Sequence, residues 1–81
     1  MNVNVDMNMI NQAVEIALDF NCAEGISEAP QTLRNRAWNW YIHFDFNDPI
    51  ELAAAVVSGD YQPESTWNDV RDMLFYFDLI Y

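Results

Sequence analysis

The side chains that most often carry out chemistry in proteins are scarce in this chain of 81 residues. It has one histidine, His43, and one cysteine, Cys22. Tetrahedral zinc sites need several such ligands, and neither residue lies in a local sequence typical of a Cys–His nucleophile pair. We expect His43 to be a packed or interfacial residue and Cys22 to be a buried structural residue. The sequence therefore predicts no metal site, no cofactor and no enzyme activity.

The glycines and carboxylates also form no catalytic pattern. Gly25 and Gly59 are too far apart for the known phosphate-binding loops. Asp45 and Asp48 are close in sequence, but a calcium loop of the EF-hand type also needs a glycine and a terminal glutamate at fixed positions. Nothing marks any pair of carboxylates as a general acid and base. We assign no catalytic residue.

The charge balance is the strongest signal in the sequence. Thirteen acidic residues stand against three arginines and no lysine, which gives a formal net charge of −10. Average usage would give a chain of this length roughly ten basic residues. Self-repulsion of this kind lowers stability, so its retention indicates that the negative field has a use. General solubility is the alternative explanation.

The scarcity of basic residues also excludes two classes of partner. Phosphates are bound by lysine and arginine, so we expect no direct binding to nucleic acid and none to an anionic membrane. A basic protein surface is the expected partner. No apolar run approaches the ~18 residues of a membrane span, and the N-terminus lacks the basic start of a signal peptide. One cysteine permits no internal disulfide, and we expect a cytoplasmic protein.

The composition predicts a folded protein and not an acidic tail, since 52% of residues are hydrophobic and 15% aromatic. We expect one domain over residues 1–81, of all-α class, in which about four short helices form a compact bundle. The first helix runs from about Asp6, its cap, to Asn21, with Gly25 ending it. Its inward face is expected to consist of Met7, Ile10, Val14, Ala17 and Leu18.

The second half of the chain contains clearer helix boundaries. Asp48 is expected to cap a helix over Pro49–Ser58, which a left-handed Gly59 closes. A last helix follows a cap at Ser65 or Thr66 and runs to the chain end. Its inward stripe comprises Trp67, Val70, Leu74, Phe77 and Tyr81, widened by Met73, Tyr76 and Ile80.

The segment 30–46 is compatible with two structures. Pro30 suits the first turn of a helix, and one face of it then consists of Leu33, Ala37, Trp40 (or Tyr41) and Phe44. The same segment alternates apolar with polar residues between Trp38 and Phe46, as a strand would. We prefer the helix. The alternative is an α+β fold with a small two-stranded sheet that pairs residues 2–6 with 38–46.

The helices would distribute the carboxylates over exposed faces and loops. Glu15 and Asp19 are neighbours on successive turns, about 6 Å apart, as are Asp69 and Asp72, and such spacing can imitate the repeated charges of a nucleic-acid backbone. A further expected cluster, around the break between the second and third helices, consists of Asp45, Asp48 and Glu51. Tyr61 is the best candidate for an exposed aromatic contact, because aromatic side chains anchor many protein interfaces. The candidate partner-binding residues are Glu15, Asp19, Asp45, Asp48, Glu51, Asp60, Tyr61, Glu64, Asp69 and Asp72.

In size, charge, absence of lysine and aromatic content, the chain resembles the small acidic inhibitors of phages and mobile elements. These include DNA-mimic anti-restriction proteins and anti-CRISPR proteins. The resemblance covers the whole chain in composition but rests on no sequence motif, so it assigns no functional residue. It implies an inhibitor that blocks a nucleic-acid-binding effector of host defence. The alternative is a non-catalytic adaptor or assembly subunit that binds through its apolar C-terminal helix, and homodimerisation is a further expectation.

Overall fold

The computed structural model describes residues 5–80, and the backbone alone for residues 78–80. It consists of four helices: α1 (Met7–Glu24), α2 (Pro30–His43), α3 (Pro49–Ser58) and α4 (Trp67–Ile80). Within residues 5–80 there is no strand, which confirms the all-α bundle. The two-stranded alternative is wrong for residues 38–46, while residues 2–4 of its first strand lie outside the described residues.

The start and end of α1 are fixed by local hydrogen bonds. Asp6 Oδ1 accepts from the backbone N–H of Asn8 at 3.0 Å and of Met9 at 3.2 Å, which confirms the predicted cap. The helix then continues three residues beyond Asn21. Gly25 takes the left-handed conformation (φ 70°), and its N–H donates to Cys22 O at 3.3 Å. The Ile26 N–H donates to Asn21 O at 2.8 Å, so that two of the last carbonyls are satisfied.

The α2 helix ends three residues earlier than predicted, at His43. Phe44 is extended (φ −132°, ψ 148°) and begins the connection to α3. The rings of Phe44 and Phe46 both contact Trp40 and Trp67, with centroids 5.2–6.4 Å apart. The sequence spacing favoured a helix through Phe44. The backbone is extended there instead, and the Phe44 ring packs against Trp67, which lies far along the chain.

The α3 helix is the centre of the bundle and contacts each of the other three helices. Five consecutive residues, 52–56, are completely buried. Three of them are alanines, whose small side chains let neighbouring helices approach. Asp48 Oδ1 accepts from the Ile50 N–H at 2.8 Å, and Pro49 occupies the first helical position. Both predicted bounds of α3 are confirmed.

Gly59 ends α3 in a conformation different from the predicted one. Its backbone (φ 130°, ψ −168°) lies outside the left-handed helical region, in a region that essentially only glycine adopts. Its carbonyl accepts a 2.8 Å hydrogen bond from Trp40 Nε1. The unusual dihedral angles thus accompany a bond that joins the end of α3 to the aromatic side of α2.

Replacement of Gly59 by alanine is expected to lower the free energy of unfolding by about 1–3 kcal/mol, because an L-residue is strained at these dihedral angles. An added Cβ would meet no atom within 4 Å, so the loss would come from the backbone and not from a clash. Urea denaturation followed by circular dichroism measures it. Gly25→Ala is the matched control and should cost less, since the left-handed region is open to other residues at about 1–2 kcal/mol. Equal or smaller losses at Gly59 would contradict this explanation.

The start of α4 carries half of a capping box. Asp69 Oδ2 accepts from the Thr66 N–H at 3.0 Å and from Thr66 Oγ1 at 3.3 Å. Ser65 has another role, since its Oγ accepts from the Gln62 N–H at 3.0 Å. Of the two predicted caps, Thr66 is therefore the residue at the helix start.

Most residues at the centre of the predicted inward faces are buried, and some residues at the edges of those faces are exposed. Val70 and Phe77 of α4 are buried as predicted, but Tyr76 is exposed. On α1 the buried face is centred on Ala13 and Ala17, so Met7 lies at its edge and is 47% exposed. Tyr81 and the side chain of Ile80 lie outside the described residues.

Candidate functional site

Two of the three arginines are held by contacts within the fold. Arg36 Nη2 lies 2.6 Å from Glu28 Oε2, and its Nε lies 3.3 Å from Asp60 Oδ1 without the alignment of a hydrogen bond. Arg34 Nη1 donates to Asn11 Oδ1 at 2.6 Å. Arg36 thereby joins the loop before α2 to the loop after α3, and these two carboxylates partly neutralise its charge.

Several carboxylates also have structural partners. Besides the caps at Asp6, Asp48 and Asp69, Glu24 Oε1 accepts a 2.6 Å hydrogen bond from the Tyr76 hydroxyl. Asp60, with Glu28, pairs with Arg36. Three of the predicted partner-binding residues, Asp48, Asp60 and Asp69, therefore stabilise the fold.

The other predicted carboxylates face solvent more freely. Among the side chains described, those of residues 5–77, these carboxylates form no hydrogen bond or ion pair, and all but the half-buried Glu51 are exposed. A carboxylate without an internal partner can exchange water for a cationic group of another molecule. These six residues are Glu15, Asp19, Asp45, Glu51, Glu64 and Asp72.

The outer side of α1 presents two of these carboxylates together. Glu15 and Asp19 are exposed on successive turns, on the side of the helix opposite the buried Ala13 and Ala17. The neighbouring Gln12 is exposed and uncharged, and Arg34 bonds to Asn11, one turn before Glu15. We call Glu15 and Asp19 the α1 acidic pair.

A groove between the α2–α3 connection and α4 combines both signs of charge. It has a volume of about 400 Å³ and is lined by Asp45, Asn47, Glu51, Trp67, Val70, Arg71 and Leu74. Asp48, predicted to cluster with Asp45 and Glu51, does not line it and caps α3 instead. In this groove Arg71 partly offsets the charge of the two carboxylates.

The last two free carboxylates stand on neither of these surfaces. Glu64 is exposed in the turn between α3 and α4, and Asp72 is exposed on α4. Asp69, the predicted neighbour of Asp72, is occupied at the helix start. The predicted Asp69–Asp72 surface thus has one residue available for binding.

The prediction that Tyr61 is an exposed contact is wrong about its exposure. Tyr61 is partly buried, its ring is stacked on His43 at 4.1 Å, and it meets Trp40 and Phe44 edge-on. The predicted turn residue is therefore part of an aromatic cluster. Whether Tyr61 also contacts a partner stays a prediction.

Among the described residues, the most exposed aromatic side chain is on α4 instead. Phe75 is 68% exposed, and Trp38 on α2 is 43% exposed. The spacing of Val70, Leu74 and Phe77 on α4 could have shown this, because Phe75 falls off that stripe. The predicted inward stripe included most of the apolar residues of α4, and Phe75 was not singled out as exposed.

The histidine and the cysteine lie on different helices. His43 is exposed, with Nδ1 2.8 Å from Asn39 O, and Cys22 is exposed on α1 and not buried as predicted. Among the described residues, no group of three or more His, Cys, Asp or Glu is placed to hold a metal ion. None of the described helices has the length and apolar character to cross a membrane.

No protein-family model, curated protein or solved structure matches this chain.

The hydrogen bond between Tyr76 and Glu24 has a consequence at alkaline pH. It raises the pKa of the Tyr76 phenol, because loss of the proton would break the bond and place two negative charges together. A pKa raised on folding contributes stability that is fully present below the unfolded value, 10.0, and is lost as the pH rises through the higher folded pKa.

We therefore expect the wild-type protein to lose more unfolding free energy between about pH 9 and pH 11.5 than Tyr76→Phe, which cannot titrate at this position. Urea denaturation at both pH values measures the two losses. Tyr41→Phe is the control, because it also removes a tyrosine hydroxyl. That hydroxyl accepts a hydrogen bond from the Asp6 backbone N–H and has no carboxylate partner among the described residues. Identical pH profiles for the wild type and Tyr76→Phe would show that the bond has no such effect.

Proposed function

We propose that this chain is a small acidic inhibitor that binds a basic surface of a nucleic-acid-binding protein. One observation carries the proposal: Arg34 and Arg36 are used within the fold, whereas six carboxylates have no partner among the described residues. Arg36 lies against Glu28 and Asp60, and the chain as a whole carries a net charge of −10. An opposite charge on the partner would steer association and raise its rate.

The α1 acidic pair is the proposed centre of this binding. Carboxylates on successive helical turns lie about 6 Å apart, within the range of repeated charges on a nucleic acid. They could therefore occupy positions that phosphates take in a basic cleft. The inhibitor would act as a DNA mimic by occupying the cleft of a host-defence nuclease or effector complex, with no catalytic step.

Capture followed by competition tests this proposal. Tagged protein is incubated with bacterial lysate at about 50 mM salt, and bound proteins are eluted as the salt rises to about 500 mM, where screening is nearly complete beyond 4–5 Å. We expect a DNA- or RNA-binding protein to elute. The purified partner should then release the inhibitor when short duplex DNA or RNA is added. A captured protein that resists salt and ignores nucleic acid would contradict charge mimicry.

One observation favours a second candidate function, that of a non-catalytic adaptor or assembly subunit which binds through its apolar C-terminal helix. Phe75 is the most exposed large apolar side chain of the described residues, on the helix that an adaptor would use. In that case Phe75→Ala would abolish binding to the captured protein, and neutralisation of the α1 acidic pair would leave it intact. The charge-based proposal expects the reverse, and circular dichroism must show that both variants are folded.

A further inference from the structure

The α2 helix has a face that carries no acidic residue. No Asp or Glu lies between Glu28 and Asp45, although the chain has thirteen. One line along its outer side consists of exposed residues separated by four, three and four positions. We call this line the α2 face, and it comprises Gln31, Asn35, Trp38 and Ile42.

The α2 face is apolar toward the C-terminal end of the helix. Trp38 is 43% and Ile42 is 42% exposed, one turn apart. At the other end, Gln31 Nε2 donates to Asn35 Oδ1 at 3.0 Å, so these two amides already satisfy each other in part. Burial of this face therefore removes Trp38 and Ile42 from water and brings no carboxylate with it.

We propose that the α2 face is the interface of a homodimer, so that its occupant is a second copy of this chain. Two molecules of charge −10 repel each other at any surface where carboxylates meet. The other three helices each carry acidic residues: Glu15 and Asp19 on α1, Glu51 on α3, and Asp72 on α4. The α2 face is the helical surface on which two copies approach with the least repulsion.

The spacing of the α2 face suits contact between two identical helices. Separations of four and three residues are those of the seam along which paired helices interlock. A twofold axis perpendicular to α2, midway between Trp38 and Ile42, sets Trp38 of one copy against Ile42 of the other, and the same contact is repeated across the axis. A single pair of exposed residues thereby supplies two contacts.

The size of the face sets the strength of the dimer. The 14 residues of α2 extend about 21 Å, which is too little to bury the ~800 Å² per partner of a standard interface. We expect a weak dimer with a dissociation constant on the order of 100 µM. Added salt strengthens it, because screening reduces the remaining repulsion between the two copies. Binding to a basic partner has the opposite salt dependence, so the two associations can be distinguished by experiment.

Sedimentation equilibrium of the full chain tests the dimer. Samples from about 10 µM to about 1 mM span the expected constant, at about 50 and 500 mM salt. Trp38→Ala should raise the dissociation constant at least about tenfold, as loss of a central aromatic contact does. Phe75→Ala is the matched control, because it removes a more exposed aromatic ring from α4 and should leave the constant within about twofold. Ile42→Ala is a second test of the same face if circular dichroism shows that Trp38→Ala is misfolded.

The outcomes decide the proposal. A dimer that tightens with salt and is weakened by Trp38→Ala or Ile42→Ala, but not by Phe75→Ala, supports it. A monomer at every concentration would overturn it. So would a dimer that weakens with salt, one that Phe75→Ala disrupts, or one that is unaffected by substitutions on the α2 face.

Discussion

Replacement of Trp40 by alanine is expected to lower the free energy of unfolding by about 3–5 kcal/mol. Trp40 is only 2% exposed, and its ring meets Phe44, Phe46 and Tyr61. Its Nε1 donates to Gly59 O, an acceptor that would lose this partner in the variant. A domain of this length has a total stability of about 4–12 kcal/mol, so the variant would be close to unfolding at room temperature.

Trp38→Ala is the matched control for this experiment. It removes the same side chain two residues earlier on the same helix, but from a position that is 43% exposed. We expect a loss below about 1 kcal/mol. Urea denaturation followed by circular dichroism, at low micromolar protein to avoid self-association, measures both. Similar losses for the two tryptophans would show that Trp40 has no special place in the core.

Neutralisation of the α1 acidic pair is expected to weaken partner binding more than the same change in charge elsewhere. Glu15→Gln with Asp19→Asn removes two negative charges, which takes the net charge from −10 to −8. Neither carboxylate has a structural contact within the described residues, so the fold should be retained. We expect at least a tenfold loss of affinity, about 1.4 kcal/mol, from two charges at the centre of the interface.

Two further double variants control for total charge. Asp45→Asn with Glu51→Gln, and Glu64→Gln with Asp72→Asn, each produce the same net charge of −8. Asp69 is left unchanged, because its carboxylate holds Thr66 at the start of α4. Affinities for the captured partner, measured by titration calorimetry at fixed salt, should rank the α1 variant weakest. Equal losses for all three would mean that overall charge attracts the partner without a preferred face.

The parts of the fold that local sequence determines were predicted from it. Asp48 and Pro49 define the start of α3 through one side-chain hydrogen bond and one fixed dihedral angle, and both act within a few residues. Asp6 defines the start of α1 through side-chain hydrogen bonds alone. The end of α2 was wrong by three residues, since the extended conformation at Phe44 accompanies packing against Trp67, which lies 23 positions further along the chain.

The surface was less predictable than the helices. Sequence spacing places Glu15 and Asp19 side by side, because that depends on one helix. It cannot show that Arg36 binds Asp60, or that Glu24 binds Tyr76, since those pairs are 24 and 52 residues apart and depend on how the helices pack. Such long-range contacts determine which carboxylates are engaged, and they divide the ten predicted residues into structural and free groups.

The dependence of partner affinity on salt tests the proposed function most directly. The dissociation constant of the captured partner is measured by titration calorimetry from about 50 to 500 mM salt, for the wild type and for the variant that lacks the α1 acidic pair. We expect wild-type affinity to fall steeply as the salt rises, with a shallower slope for the variant. An affinity that stays constant across this range would contradict a charge-based interface and would direct attention to Phe75 on α4.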